Sequence, residues 1–141
     1  MSYNNFKKDL LLGESYEYKF INIIPNDRYI KKEGNFKPYD LEVYHNDIKT
    51  TYEVKACNSI MYIPIEYRCY NKPSGIKTSE ADKWVIFDRV DNDLYIIPTE
   101  IIKEYIDYEM YNYKRKGGDY NSSKMYLFSK GLFNDYKYSK F

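Results

Sequence analysis

The sequence has few of the residues on which metal clusters, disulfides and nucleophilic triads depend. Its 141 residues include one histidine, His45, and two cysteines, Cys57 and Cys69, whose spacing matches no metal or redox motif. A zinc site built from histidine and cysteine is therefore excluded, and we expect free thiols in a reduced interior rather than disulfides. His45 lies in "HND", where a hairpin turn is expected, so a histidine-centred triad is not expected either.

An excess of one charge and long apolar runs are also absent. Lysine and arginine number 22 against 21 acidic residues, a net charge of +1. Affinity for nucleic acid would therefore have to come from a local patch of cations rather than from the whole surface. No apolar run approaches the length of a membrane span, and no signal-like N-terminus is present. We expect an intracellular, cytoplasmic protein that makes no membrane contact.

Tyrosine is abundant, with 19 residues in the chain. The core must therefore be completed by tyrosine rings whose hydroxyl groups reach the surface. The length is that of one ordinary domain, and neither an internal repeat nor a linker interrupts it. We therefore expect a single domain over residues 1–141.

The order of elements begins with a helix and a hairpin. Apolar residues and glutamates recur at spacings of three and four over residues 4–24, which predicts a helix. Residues 25–38 hold two prolines, a glycine and several polar groups, which predict a loop. Alternating patterns on both sides of "HNDIK" then predict a hairpin with strands over residues 39–46 and 50–57.

Further strands surround one more predicted helix. "IMYIPIEYRCY" predicts a strand in which Pro64 marks an edge or a bulge, and "KWVIFDRV" and "LYIIP" predict a hairpin around "DND". Pro98 begins a helix expected to continue to about Tyr113, because "KRKGG" has the cations and glycine typical of a helix C-terminus. "KMYLF" predicts a last strand. The pattern indicates an α/β protein with a mostly antiparallel sheet.

Three charged residues stand inside the first predicted hairpin. Side chains two apart share a face of a strand, so Glu53 and Lys55 point the same way and Val54 points into the core. Asp40 lies on the other arm, and the two carboxylates converge if the register aligns them. Two carboxylates and the carbonyl of Val54 would suit Mg²⁺, which prefers oxygen ligands. Lys55 could orient a water or stabilise charge on a phosphate, which suits phosphodiester hydrolysis.

In isolation, "EVK" is better explained by a chance cross-strand ion pair, because such exposed pairs are common. Other acids in the pattern favour a site. Glu14 and Glu17 lie within the apolar stripe of the first helix, where a charge needs a partner. Glu66 interrupts the strand that contains Pro64, and its alternative explanation is an ion pair with a neighbouring cation such as Arg68.

The order helix with glutamate, strand with aspartate and strand with acid-x-lysine resembles the PD-(D/E)XK nuclease superfamily. Its motif is similar to Pro38-Tyr39-Asp40 followed by Glu53-Val54-Lys55, with Tyr39 inserted between proline and aspartate. "GESYE", from Gly13 to Glu17, resembles the entry of archaeal-type Holliday junction resolvases. Residues 60–87 are more similar to small phage and virus-type members. The resemblance covers residues 6 to about 97, and the C-terminal third matches no family that we recognise.

The resemblance implies a restriction-endonuclease-like domain with an N-terminal helix, a central mixed sheet containing the hairpin, and flanking helices. It implies a metal-dependent deoxyribonuclease in which Asp40, Glu53 and the carbonyl of Val54 bind Mg²⁺, with Mn²⁺ able to substitute. Lys55 would be the catalytic lysine, and Glu17 a further catalytic acid. DNA would be the partner, and resolution of a junction would require a homodimer. Endonuclease and exonuclease action, RNA as substrate, and a non-catalytic binding module that keeps the fold remain open.

Candidate contacts to nucleic acid lie in two basic stretches. Lys72 and Lys77 belong to "NKPSGIKTS", whose hydroxyl groups could also meet phosphate. Lys114, Arg115 and Lys116 lie in "YKRKGGDY", beside tyrosines suited to base stacking. The alternative for the second stretch is that its cations cap the preceding helix. With the net charge near zero, a confined basic groove is expected.

Overall fold

The structure, a computed structural model, describes residues 16–34, 38–117 and 122–141, which form two β-sheets and few helices. Residues 16–23 are helical and are called α1, and the second α-helix, α2, is Thr99–Asp107. Short 3₁₀ helices occupy Gly75–Lys77 and Lys130–Tyr136. The strands in chain order are β1 (Arg28–Lys31), β2 (Leu41–His45), β3 (Ile48–Cys57), β4 (Tyr62–Cys69), β5 (Lys72–Pro73), β6 (Lys83–Asp88), β7 (Asp93–Pro98), β8 (Tyr113–Gly117), β9 (Ser123–Ser129) and β10 (Lys137–Lys140).

The central sheet is mixed and contains six strands in the order β1-β2-β3-β6-β7-β10. Its neighbours are antiparallel except β3 and β6, which run parallel, with Glu53 beside Trp84 and Lys55 beside Ile86. The predicted α/β class, with a central mixed sheet, a hairpin inside it and helices beside it, is confirmed. The described part of the predicted first helix is also helical, whereas residues 4–15 lie outside the described residues.

The β2–β3 hairpin follows from its two-residue turn. Asn46 and Asp47 adopt the left-handed conformation, with φ of 51° and 65°. Asn and Asp tolerate this conformation better than most residues, and a turn of this kind matches the twist of paired strands. The turn fixes the register from His45 opposite Ile48 to Leu41 opposite Tyr52. The predicted hairpin is confirmed, and so is the second one, formed by β6 and β7.

A second sheet of four antiparallel strands has the order β5-β4-β9-β8. The pattern around Pro64 correctly predicts a strand, and β4 carries an irregularity between Glu66 and Arg68. Pro64 lies outside the short stretch that pairs with β5, so its missing N–H costs no bond on that side. That β4 joins a separate sheet was not predicted, because its partner β9 lies far away in the sequence.

Two hydrophobic cores lie on opposite faces of the central sheet. The face toward α1, here the first face, buries Phe20 of the helix against Tyr52 and Val54 of β3. The opposite or second face contributes Trp84 and Ile86 to a larger core that also contains residues of the second sheet and of α2. Side chains alternate along a strand, so the acid and lysine of "EVK" lie on the second face while Val54 lies on the first.

Two predicted elements were wrong. The predicted loop over 25–38 contains β1, whose side chains are mostly exposed and therefore give no apolar alternation. The helix that begins after Pro98 ends at Asp107 rather than near Tyr113, and Glu109 then has a φ of 54°. Residues 113–117 form strand β8 instead of a helix C-terminus, because pairing with β9 provides their backbone bonds.

None of the described helices is both long and apolar enough to cross a membrane.

Candidate metal and nucleic-acid site

Asp40 lies immediately before β2, at the point where the β2–β3 pairing ends. Its backbone N–H donates to the carbonyl of Tyr52 at 2.9 Å, and its own carbonyl accepts from the N–H of Lys32 at 2.9 Å. Its carboxylate oxygen Oδ2 accepts from the N–H of Val54 at 2.8 Å. The side chain of Asp40 thus accepts the hydrogen bond from β3 that the backbone carbonyl of one more β2 residue would otherwise have accepted. Among the described residues, Asp40 has no salt bridge with a lysine or arginine.

The backbone of Val54 faces the same edge as Asp40. Residues of a strand direct their N–H and C=O to one side, and the antiparallel pairing makes Tyr52 face β2. Val54, two residues further along, therefore directs both backbone groups toward the edge that the Asp40 carboxylate occupies. Its side chain is 9% exposed in the core against α1, as predicted. The edge combines a carboxylate and a carbonyl, which are both hard oxygen ligands.

Glu53 and Lys55 lie on the second face, on either side of Val54. The side chain of Glu53 is 10% exposed and that of Lys55 is 49% exposed, and Nζ of the lysine lies 3.9 Å from Oε2 of the glutamate. The pair is therefore a buried acid with a lysine that reaches solvent. The predicted sharing of one face is confirmed by this contact, while the roles of both residues stay predictions.

Glu17 reaches the same end of the central sheet from α1. Its Oε2 lies 3.4 Å from Nζ of Lys31, and both side chains are largely buried. Lys31 pairs with Leu41, the residue that follows Asp40. The structure therefore brings Glu17 to the sheet edge where β2 begins. Glu14 lies outside the described residues.

A second buried acid, Glu42, was not predicted. The hydroxyl groups of Tyr39 and Tyr44 donate to its carboxylate at 2.5 Å and 3.0 Å, and Nζ of Lys32 lies 3.1 Å away. The hydrogen bond from Tyr39 is the main reason why the pKa of Glu42 is lowered to about 2, against burial, with Lys32 adding to it. The same bond raises the pKa of Tyr39 to about 12. Glu42 pairs with Thr51, so its side chain shares a face of the sheet with Glu53. The only signal in the sequence that points to Glu42 is its place in the alternation of β2.

Glu66 belongs to the second sheet and is not part of this edge. The hydroxyl group of Ser123 donates to its Oε1 at 2.7 Å, and that of Ser74 donates to its Oε2 at 3.1 Å. Both carboxylate oxygens therefore have neutral partners, and no salt bridge with Arg68 forms among the described residues. We interpret Glu66 as a structural acid that holds the loop containing Ser74 against β9.

The predicted nucleic-acid contacts all lie on or beside the second sheet. Lys72 is in β5 and Lys77 ends the short 3₁₀ helix, and both are exposed. The other three candidates are consecutive and exposed in β8, where alternation places Lys114 and Lys116 on one face and Arg115 on the other. Arg115 therefore points away from Lys114 and Lys116, although the three residues are consecutive and were predicted as one basic patch.

Another acidic group occurs at the β6–β7 turn, with ligand atoms of Asp88, Asp91 and Asp93 within 4.8 Å of one another. Three carboxylates could hold a metal ion, but lysines already contact them. Lys130 Nζ lies 2.8 Å from Asp88 and 3.0 Å from Asp91, and Lys140 Nζ lies 2.6 Å from Asp93. Burial disfavours the charge on Lys130, yet the bonds to the two aspartates outweigh it and raise its pKa. A metal ion would have to displace these cations.

Comparisons with known proteins give one partial likeness. No family model matches the chain, and no curated protein matches it. One solved structure to which the chain is similar is a bacterial homing endonuclease, I-Ssp6803I, with a TM-score of 0.44 and 18% sequence identity. The matched part covers 55% of this chain and 59% of that chain, less than two thirds of its length. Function must therefore be inferred from the residues themselves.

Proposed function

We propose that the chain is a metal-dependent nuclease of the PD-(D/E)XK type that hydrolyses phosphodiester bonds in DNA. The observation that supports this most directly is that the carboxylate of Asp40 accepts a hydrogen bond from the Val54 N–H and forms no salt bridge with a cation among the described residues. A carboxylate placed at a strand edge beside a backbone carbonyl is a suitable ligand set for a hard cation. Glu53 precedes Val54 in β3 and would supply the second acid of the proposed site.

The residues present fit Mg²⁺, with Mn²⁺ as a substitute, because every proposed ligand is an oxygen. Asp40, Glu53 and the carbonyl of Val54 would hold the ion. When bound, such an ion lowers the pKa of a coordinated water and neutralises charge on the scissile phosphate. Among the described residues, this edge offers no sulfur or imidazole ligand, which argues against a soft or borderline metal.

Lys55 is suited to act on the substrate because its side chain is about half exposed while the neighbouring Glu53 is buried. Its ammonium group would donate hydrogen bonds to a phosphate oxygen or to the attacking water. Glu17 is mostly buried and has Lys31 at 3.4 Å. We therefore assign Glu17 a positioning role, in which it holds Lys31 and the start of β2 rather than the substrate.

The first experiment is a cleavage assay with linear duplex, single-stranded and four-way-junction DNA, in Mg²⁺ or in EDTA. The Asp40→Asn variant should lose cleavage by at least about 100-fold, because a metal ligand loses its charge. Asp47→Asn is the matched control: it makes the same chemical change at the exposed tip of the same hairpin, where Asn is equally tolerated. It should cleave like the wild type.

The preferred DNA identifies the form of the activity. Shortening of linear DNA from its ends indicates an exonuclease, cuts at internal positions indicate an endonuclease, and paired cuts in a junction indicate a resolvase that acts as a dimer. DNA binding without cleavage in either Mg²⁺ or Mn²⁺ would overturn the proposal in favour of a non-catalytic binding module.

A further inference from the structure

Three cations lie side by side across the second sheet. Arg68 of β4 is directly opposite Lys124 of β9, and Lys124 is directly opposite Lys116 of β8. Residues opposite each other in paired strands share a face. Because neighbouring strands are about 4.8 Å apart, the row is roughly 10 Å wide. Lys116 is exposed, and the other two side chains are partly exposed.

No salt bridge in the described parts of the chain neutralises this row. Like charges placed directly opposite each other destabilise a sheet, and here two such contacts occur in succession. None of the three cations forms a salt bridge to a described residue, and Nε of Arg68 is buried without an acceptor there. Lys31 and Lys130, by contrast, each have a carboxylate within 3.4 Å. A polyanion would remove the repulsion.

The row continues toward the candidate metal edge. Arg68 and Lys77 line one cavity of about 350 Å³. The N–H of Ser74 donates to the carbonyl of Tyr67 at 3.1 Å, which ties the loop containing Lys77 to β4. At its other end, the N–H of Glu80 donates to the carbonyl of Pro38 at 2.7 Å. The loop therefore connects the second sheet to the segment that ends at Asp40.

The face that carries the row offers charges rather than stacking rings. Tyr126 lies two residues after Lys124, but it is 7% exposed and stacks on Tyr67 with ring centroids 4.2 Å apart. Lys114 shares this face and lies 5.6 Å from the ring centroid of Tyr111. Since these rings are already packed, contact here would be with phosphates and not with bases.

We propose that Lys116, Lys124, Arg68 and Lys77 form a binding track for the phosphate backbone of the substrate nucleic acid. The identity of the substrate as DNA rests on the proposed function, whereas the track itself can be tested by binding alone. Arg115 lies between two cations of β8 but on the opposite face, where it lines a different cavity with Met125 and Pro64. Although it belongs to the same basic stretch, it is outside the track.

The test measures binding of a fluorescein-labelled 20-base-pair duplex by anisotropy, in EDTA and over a range of KCl concentrations. The double variant Lys116→Gln/Lys124→Gln should bind about 10-fold more weakly or worse at 100 mM salt. The slope of log K against log salt should become shallower by about 1.8, about 0.9 for each lost phosphate contact. Arg89→Gln/Lys103→Gln removes the same charge from two exposed positions that are neither in the track nor among the predicted nucleic-acid contacts, and it should change neither quantity appreciably.

Equal weakening in the two double variants, or an unchanged salt slope in the first, overturns the track. Thermal unfolding separates this result from misfolding, because removing like charges from the row should leave the melting temperature equal or raise it. Wild-type protein that binds through the track but never cleaves would overturn the proposed nuclease while supporting the track. Cleavage that is as fast in Lys116→Gln/Lys124→Gln as in the wild type would overturn the track while supporting the proposed nuclease.

Discussion

The carboxylate of Asp40 and the backbone N–H of Val54 are joined by a 2.8 Å hydrogen bond at the end of the β2–β3 pairing. The bond has two consequences. It satisfies a strand N–H that β2 no longer reaches, and it places a negative charge beside the carbonyl of the same residue. The structural role of Asp40 and its proposed metal-binding role therefore depend on the same carboxylate, and substitutions must be chosen to separate them.

Asp40→Asn and Asp40→Ala should separate the two roles. Asparagine keeps an oxygen acceptor for the Val54 N–H, so the free energy of unfolding should stay close to the wild-type value while cleavage is lost. Alanine removes the acceptor and should lower the free energy of unfolding by about 1 kcal/mol as well. Urea unfolding together with the cleavage assay checks both. Metal-dependent cleavage by the asparagine variant would contradict the proposed ligand role.

Lys55→Ala should abolish cleavage without a measurable change in stability. Its contact with the buried Glu53 is long, at 3.9 Å, and Lys55 itself is about half exposed, so solvent screens its charge and the pair contributes little. Lys49 is a close match on the same strand, since it is also 49% exposed and lies 3.9 Å from a glutamate, Glu42. Lys49→Ala should therefore retain wild-type cleavage. Similar losses in both variants would indicate a general effect of charge on DNA binding rather than a specific catalytic lysine.

Glu42→Gln should change how stability depends on pH. The pKa of Glu42 is lowered from 4.5 to about 2 in the folded state, chiefly by the hydrogen bond from Tyr39. A lowered folded pKa stabilises the protein above the unfolded pKa, and this contribution is lost as the pH falls from about 4.5 toward 2. The variant should be less stable at pH 7 and lose less stability over that interval. Urea unfolding at several pH values tests this, with exposed Glu104→Gln as the control.

Gly75→Ala should be strongly destabilising. Gly75 has a φ of 52°, and a Cβ atom there would overlap the backbone carbonyl oxygen of Glu66. The combined strain and overlap should lower the free energy of unfolding by more than about 3 kcal/mol. Gly34 has a φ of 68°, but no atom of the described residues lies within 4 Å of the same Cβ position. Gly34→Ala should therefore cost only about 1–2 kcal/mol, and a comparable loss at both glycines would disprove the close approach to Glu66.

Lys130→Met should destabilise the protein, because it leaves the buried charge of Asp88 without its lysine partner. That aspartate is fully buried and Lys130 is 12% exposed, so removing the lysine leaves a buried carboxylate without its 2.8 Å partner. A loss of roughly 3–5 kcal/mol in the free energy of unfolding is expected. Lys140→Ala removes a lysine that is 73% exposed and should cost much less. If Mg²⁺ alone restored the stability of Lys130→Met, the three aspartates would be a metal site after all.

The local parts of this architecture were predictable from sequence. "HND" fixed one hairpin because Asn46 and Asp47 suit positive φ, and alternation on both sides placed Glu53 and Lys55 on one face. β8 was missed because consecutive exposed cations before a glycine are as typical of a helix end as of an exposed strand. Only pairing with β9, which sequence patterns do not encode, decides between them.

The site itself was predictable only in part. Asp40, Glu53 and Lys55 stand out because charges interrupt apolar alternation, whereas Glu42 was overlooked because one acid between two apolar residues is the ordinary pattern of a half-buried strand. Its burial depends on Tyr39, Tyr44 and Lys32, which meet only in the folded sheet. The row of cations across the second sheet could not be predicted from sequence either. Strand register alone brings together Arg68, Lys124 and Lys116.

The parallel pairing of β3 with β6 has a consequence for how the protein folds. The intervening chain must first leave the central sheet as β4, whose own partner β9 is formed by residues much later in the sequence. Closing such long loops before their contacts form is entropically costly, so folding should take milliseconds to seconds rather than microseconds. The hairpin that carries Asp40 and Glu53 can form early, but it should acquire the support of β6 only in the last steps. The proposed nuclease activity should therefore appear with the slowest refolding phase.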